Sequence, residues 1–516
     1  MKGVTIMDKK VFMAMYDVKG IQNYVFKTNK IKEVIGASLI IDELIIDAFF
    51  DAVKDKNKKI PGANDSFDFF DNTDLEYEIM YYGGGNLVVL FRKEKIEKVY
   101  HINQKMTKHI IEKSYGLSLA CAVIEISDIN HYQDDYHRLT NEMNFIKDNM
   151  VEVKPVGALP IVGSDPMTGY PLSKYKEDKK VSYETSLKLD KYKEYFEDNI
   201  SEKDNDLKQY INSLNTDTYG SEEGESLMAI VHIDGNSMGS SIKNIISKVQ
   251  TYPEAVKAMR IISSNIKNTF EEKGLQAIEK HLEEFYEESE INKEKHKNRL
   301  FRTIVKAGDD ITFICNARIA LRCVETFIDA IQEERMYKGE DTFSACAGIA
   351  IVHTHFPFYV GYQMAEELCE SAKEKAKANK ENGKVGNYVD FHLCYSGKIS
   401  DLKTIRKQQY QNVNHFTLLK RPYNLNRDGK HSIQEFYDAL NGFNSHLARS
   451  KSKELRDAYF ESEDQVKYVV KRIRSRDTKQ EIPVGEFFED NNVAKYYDAL
   501  EMLDLHWGGK QGETRD

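Results

Sequence analysis

The chain is 516 residues long, 41% hydrophobic and 30% charged, with a formal net charge of −10. Such a length accommodates about two to four domains, and such a composition excludes a disordered polymer. The negative balance argues against a protein that coats long nucleic acid by itself, while leaving room for a local basic pocket.

No apolar run reaches membrane-spanning length, and the first ten residues lack a signal-peptide core, so a cytoplasmic protein without membrane attachment is expected. Cys121, Cys315, Cys323, Cys346, Cys369 and Cys394 form no CxxC pair. They read as reduced core residues, and no zinc is expected.

In chain order, a strand over Val11–Val18 carries Asp17 near its end, and helical segments follow at Asn23–Lys27 and Ile31–Val53. A strand over Glu78–Tyr82, a Gly83-Gly84-Gly85-Asn86 turn and a strand over Leu87–Phe91 make a hairpin. A helix at Lys95–Lys113, a strand at Leu117–Ile126 and a helix at Asn130–Lys147 complete a split βαβ pattern, which predicts a ferredoxin-like domain over 1–150. Residues 151–225 read as a connector: Gly- and Pro-rich over Pro155–Pro171, then charged over Ser182–Glu225, with helical fragments at best.

The pattern then repeats over 226–396. Leu227–Asp234 is a strand ending in an aspartate, followed by Gly235-Asn236-Ser237-Met238-Gly239. Helices are expected at Ser241–Lys248 and Pro253–Lys273, with a charged extension to Lys297. FRTIVKAGDDITFIC, Phe301–Cys315, is a hairpin with Asp309 and Asp310 at its tip. A helix at Ala317–Gln332, a strand at Phe343–Ile351, a helix at Val360–Ala378 and a last strand at Tyr388–Cys394 follow. Residues 397–516 read as a mostly helical third domain. The expected class is α+β, with two ferredoxin-like domains related by an internal duplication.

A Gly-Asp-Asp tip is ordinary turn chemistry, and a solvated hairpin explains it by itself. In a ferredoxin-like sheet, however, the first strand lies beside the hairpin, so Asp234 is expected to meet Asp309 and Asp310 at one edge. Two or three carboxylates there suit magnesium (or manganese), a hard cation that keeps substrate phosphates in its shell. Gly235 and Gly239 would let the backbone close around a triphosphate. The first lobe has Gly83-Gly84-Gly85-Asn86 at that place and keeps Asp17 alone, so a catalytic lobe faces a non-catalytic copy with space for a nucleotide. His232 reads as a core or supporting histidine. Lys373, Lys375, Lys377, Lys380 and Lys384 read as a solvated face that also offers phosphate contacts.

YDVKGIQNYVF, IGASLIIDEL and YYGGGNLVVLF resemble the first palm domain of the large subunit of type III CRISPR effector complexes. HIDGNSMG, KAGDDITFIC and FSACAGIAIVHTHFPFYVGYQMAEELCESAK resemble its second palm. The resemblance spans residues 11–126 and 226–395. It implies an enzyme whose second palm carries Gly-Gly-Asp-Asp and converts ATP (or another nucleoside triphosphate) into a cyclic oligoadenylate messenger in antiviral defence.

On that resemblance Asp234, Asp309 and Asp310 are catalytic, and together with Ile233 they form the metal shell. Gly235, Asn236, Ser237, Gly239, Gly308 and Lys373 would hold nucleotide on the second palm, and Gly83, Gly84 and Gly85 on the first. An RNA or protein activator, and assembly into an oligomer, belong to the same expectation. The sequence departs from the pattern in four places. It has no His-Asp dipeptide of the nuclease domain and no cysteine-rich zinc element, Ala307 replaces the first glycine, and Asn236 replaces a second aspartate. Three classes stay open: a cyclase or synthase using ATP, a GTP-using enzyme of the diguanylate cyclase kind, and a silent nucleotide sensor or scaffold.

Overall fold

Two sheets that share one four-strand antiparallel order frame the molecule, the second of them extended by further strands. The computed structural model describes residues 10–126, 128–150, 159, 161–176, 179–195, 227–288, 301–353, 356–380, 383–394, 400–411, 416–427, 431–476, 487–489 and 493–505. The first lobe runs β1 (Lys10–Lys19), α1 (Ile21–Phe26), α2 (Ile31–Val53), β2 (Tyr77–Gly83), β3 (Asn86–Lys93), α3 (Ile96–Ser114), β4 (Ser118–Glu125) and α4 (Tyr132–Asn149). Its sheet has the order β2-β3-β1-β4, the ferredoxin-like arrangement. The central strand β1 buries Phe12, Met13, Ala14 and Tyr16 almost completely, as expected of a strand covered on both sides. The buried Tyr16 hydroxyl donates to Asn103 Oδ1 at 2.7 Å, so this phenol is paired.

A hairpin of β5 (Leu172–Lys176) and β6 (Lys179–Ser182) leads into α5 (Tyr183–Lys193). This helix differs from the expected helical fragments at best. Ser182 caps it by accepting from the Thr185 N–H, and its buried residues are mostly polar: Glu184, Thr185, Ser186 and Lys188. The Lys188 ammonium donates to Glu184 Oε1 and to the Tyr24 carbonyl, both at 2.7 Å. A polar buried face leaves no hydrophobic period to read. Of the expected connector, residues 151–158, 160, 177–178 and 196–225 lie outside the described residues, as do 226 and 289–300.

The second lobe runs β7 (Leu227–Gly235), α6 (Met238–Ile246), α7 (Tyr252–Ile266), a π-helical stretch (Lys267–Gly274), α8 (Leu275–Glu288), β8 (Phe301–Ala307), β9 (Asp310–Asn316), α9 (Ala320–Ile331), β10 (Ala345–His353), α10 (Phe358–Ala378) and β11 (Tyr388–Leu393). The order β10-β7-β9-β8 repeats that of the first lobe, and β11 joins it parallel to β10. Beyond it lie α11 (Leu402–Gln409), β12 (Tyr423–Asn424), α12 (Ile433–His446), α13 (Arg449–Glu461), α14 (Glu463–Arg476) and α15 (Tyr497–Met502). Arg421 ties α15 to the sheet, lying over the Phe391 ring of β11 at 4.6 Å. Its Nη1 donates to Glu501 Oε2 at 2.6 Å and to Asp498 Oδ1 at 3.3 Å, and all three side chains are buried. Pairing of this kind is what lets the charges leave water.

The lobes are bonded to each other. Arg260 of α7 pairs with Glu78 and donates to the Ile79 carbonyl at 2.7 Å. Ser263 Oγ donates to the Tyr82 carbonyl at 2.8 Å. These bonds cover β2, an edge strand that would otherwise offer open backbone groups. All six cysteines are free thiols, Cys121 and Cys394 half-buried and the others buried. No helix among the described residues is long and apolar enough to cross a membrane.

Candidate active site at the end of the second sheet

Strand register decides which carboxylates meet. In the second lobe Asp234 on β7 lies directly opposite Asp310 on β9, and Ala307 pairs with Asp310 across the hairpin. Gly308 and Asp309 are therefore a two-residue loop. Only Gly308 has a left-handed backbone, φ 69°, the pattern of a type II′ turn with glycine first. Ala307 stays on the ladder, so its replacement of glycine is accommodated without strain. Gly235 leaves space for Asp309, since a Cβ there would stand 3.0 Å from the Asp309 side chain.

The first lobe repeats the frame without the charge. Asp17 faces Asn86, and Gly84 and Gly85 both have left-handed backbones (φ 58° and 77°), a type I′ turn. The place of Asp309 is taken by Gly85, where a Cβ would lie 2.7 Å from Ile21 Cδ1. Of the three glycines only Gly84 faces open space. Gly83 is packed beside Tyr81 and Ser263.

One feature of the duplication escaped the sequence reading. Lys373 of α10 forms an ion pair with Asp234, and Lys147 of α4 forms the same pair with Asp17. Each lysine follows the residue opposite the aspartate at the same spacing, Cys346 to Lys373 and Ala120 to Lys147, and that spacing was the available signal. Tyr362, Glu366 and Lys373 recur on one face of α10 at helical spacing. Gln22 of the first lobe donates to Glu366 Oε1 at 3.0 Å. Tyr81, also from the first lobe, has its hydroxyl pushed up to about 12 by burial and then by the charge of Asp309. The site is thus lined by both lobes.

Its electrostatics are short of positive charge. Burial, then the charge of Asp234, pushes both Asp309 and Asp310 up to about 7. Burial lowers Lys373, but Asp234 more than compensates and the net direction is upward. Asp310 Oδ1 is buried and has no hydrogen-bond partner among the described residues. His232 Nδ1 at 3.4 Å does not supply one. Its ring is held toward the neutral form by burial, and Nδ1 lies 3.1 Å from Thr312 Oγ1. An orphaned carboxylate oxygen between like charges fits a divalent cation. Among the described residues no three His, Cys, Asp or Glu side chains are gathered tightly enough to hold one ion, and Asp234 is turned to Lys373 instead.

The remaining expected residues separate. Ile233 is fully buried within the sheet, so only its main-chain carbonyl is a conceivable ligand. Asn236 is tied inward, donating to Ser344 Oγ and the Gly386 carbonyl, both at 3.1 Å, which gives it a structural task. Ser237 is exposed with a left-handed backbone, φ 57°, and Gly239 faces open space.

Residues 227–382 match the family Cas10/Cmr2, second palm domain. No curated protein matches the chain by sequence. Csm1 of T. onnurineus is similar in fold, with a TM-score of 0.57 at 11% identity over 97% of this chain and 70% of that one. A Csm1–Csm4 cassette in complex with AMPPNP gives 0.53 at 12% identity, over 96% and 69%. A Csm1–Csm4 cassette in complex with cA3 gives 0.53 at 11% identity, over 97% and 70%.

Proposed function

Residues 227–382 being a second palm domain of the Cas10/Cmr2 family, we propose that the chain is a nucleotidyltransferase of CRISPR-type antiviral signalling. It converts ATP into a cyclic oligoadenylate and releases pyrophosphate. The observation that carries this reading is the placement of Asp234 opposite Asp310, with Asp309 beside them, at a sheet end where the other lobe keeps Asp17 alone. The complexes of similar folds with AMPPNP and with cA3 support the nucleotide class, and the Csm4 chain in them supports a protein partner of that kind.

Asp234, Asp309 and Asp310 would hold magnesium or manganese. Bound there, it would supply a lowered pKa for an attacking hydroxyl and charge neutralisation for the leaving pyrophosphate. The 3′-hydroxyl (or 2′-hydroxyl) of a nucleotide on the first lobe attacks the α-phosphate of one on the second. The bond to the pyrophosphate oxygen breaks as the new phosphodiester forms. Lys373, released from Asp234, is placed to meet the triphosphate, and the open space at Gly84 admits the acceptor. Holding both nucleotides across the lobe junction supplies the orientation the reaction needs. The reading places the protein in the cytoplasm, where ATP is abundant.

Incubation with each labelled nucleoside triphosphate and magnesium or manganese, followed by chromatography, tests it. Cyclic adenylate from ATP supports the reading. Product from GTP alone, or bound nucleotide without product, overturns it.

A further inference from the structure

The hairpin that carries Asp309 and Asp310 is held from behind by a residue that none of the motifs contains. Glu271 Oε1 accepts a hydrogen bond from the Gly308 N–H at 3.2 Å. That N–H belongs to the turn and has no place in the β8–β9 ladder, where the pairing ends at Ala307 and Asp310. Without Glu271 it would be left to water.

Glu271 reaches the turn because of how its helix is wound. It lies in the π-helical stretch Lys267–Gly274, between α7 and α8. Ile266, five residues earlier, also faces the turn, with Cγ2 3.7 Å from where a Gly308 Cβ would stand. In an α-helix five residues turn about 140° beyond a full revolution, so 266 and 271 would diverge. The i→i+5 winding of a π-helix returns them to one side, and such turns recur at functional sites. Gly274 closes the stretch where a Cβ would strike the Phe327 ring at 2.4 Å, so α9 is packed against the wide turn.

We propose that Glu271 is a positioning residue. Carried by the π-helical turn, it fixes the Gly308–Asp309 loop and so sets where the Asp309 and Asp310 carboxylates stand. Its consequence for turnover rests on the function proposed above, whereas its hold on the loop does not.

The experiment compares wild type, Glu271→Ala and Glu271→Gln in the full chain. Hydrogen–deuterium exchange of the peptide containing Gly308 reads the bond itself. Loss of one hydrogen bond to a carboxylate predicts about tenfold faster exchange in the alanine variant. The glutamine variant, whose amide oxygen still accepts, stays near wild type. Binding of Mn2+ to the metal-free protein weakens in alanine and recovers in glutamine. Product formation from ATP falls through kcat with little change in KM. Unchanged exchange at Gly308 in Glu271→Ala, or a glutamine variant as impaired as alanine in all three readouts, overturns the proposal. Faster exchange and weaker Mn2+ binding in a protein that makes no product sustain the hold on the loop and count against the catalytic reading instead.

Discussion

Lys373 forms an ion pair with Asp234, and among the described residues that lysine is the cation that acts on the group of Asp234, Asp309 and Asp310. The pair explains why Asp234 can stand beside Asp309 and Asp310 before any ion arrives. On the function proposed above the site would exchange partners to work: Asp234 would give up the ammonium for a metal, and the ammonium would become free for phosphate.

Replacing Lys373 with methionine should therefore weaken nucleotide binding more than it weakens folding. Loss of one charge-assisted contact corresponds to about tenfold or more in affinity. Calorimetric titration with a non-hydrolysable ATP analogue and magnesium measures it, and unchanged affinity would show that Lys373 serves Asp234 alone.

The same charge shortage predicts a pH dependence. Burial and then Asp234 raise Asp309 and Asp310 from 3.8 to about 7, so the folded chain keeps protons there that the unfolded chain releases. Their contribution to stability is full below about pH 4 and is lost as pH rises through about 7. The metal-free Asp309→Asn/Asp310→Asn variant lacks this loss and should gain on wild type in Tm across that window. Saturating magnesium should narrow the gap by stabilising wild type. Parallel Tm-against-pH curves for the two proteins would contradict the assignment.

Much of this is legible in the amino-acid sequence. The order of strands, the pairing of Asp234 with the Gly-Asp-Asp hairpin and the weakened copy in the first lobe all follow from apolar alternation and turn residues, which act locally. Tyr81 and Glu366 were not legible, because their importance comes from contacts between distant segments, and Lys147 was marked only by a spacing that repeats that of Lys373. The helix Tyr183–Lys193 was hidden by a buried face made of Glu184, Thr185 and Lys188. The π-helical stretch leaves no mark in KNTFEEKG, whose winding is settled by packing against α9. Gly83, Gly84 and Gly85 looked alike as letters, and only their surroundings distinguish the open one.

The first lobe should resist conversion into a second metal site. In Gly85→Asp/Asn86→Asp the new side chain at 85 meets Ile21 and a left-handed backbone, φ 77°. Strain of this kind costs about 1–3 kcal/mol. Urea denaturation should show that loss, and Mn2+ titration followed by electron paramagnetic resonance should show no added site. An added Mn2+ site without loss of stability would refute the argument from Ile21.

The most direct measurement is pyrophosphate release from ATP and magnesium by wild type and by Asp309→Ala/Asp310→Ala, with melting curves on both. The pair sits at a hairpin tip and opposes like charge, so the variant should fold with an equal or higher Tm. Its pyrophosphate release should fall by at least about a hundredfold, as for removal of a charge-stabilising group from a reaction centre. Equal release from the two proteins, both folded, would contradict the assignment of these aspartates to the chemistry.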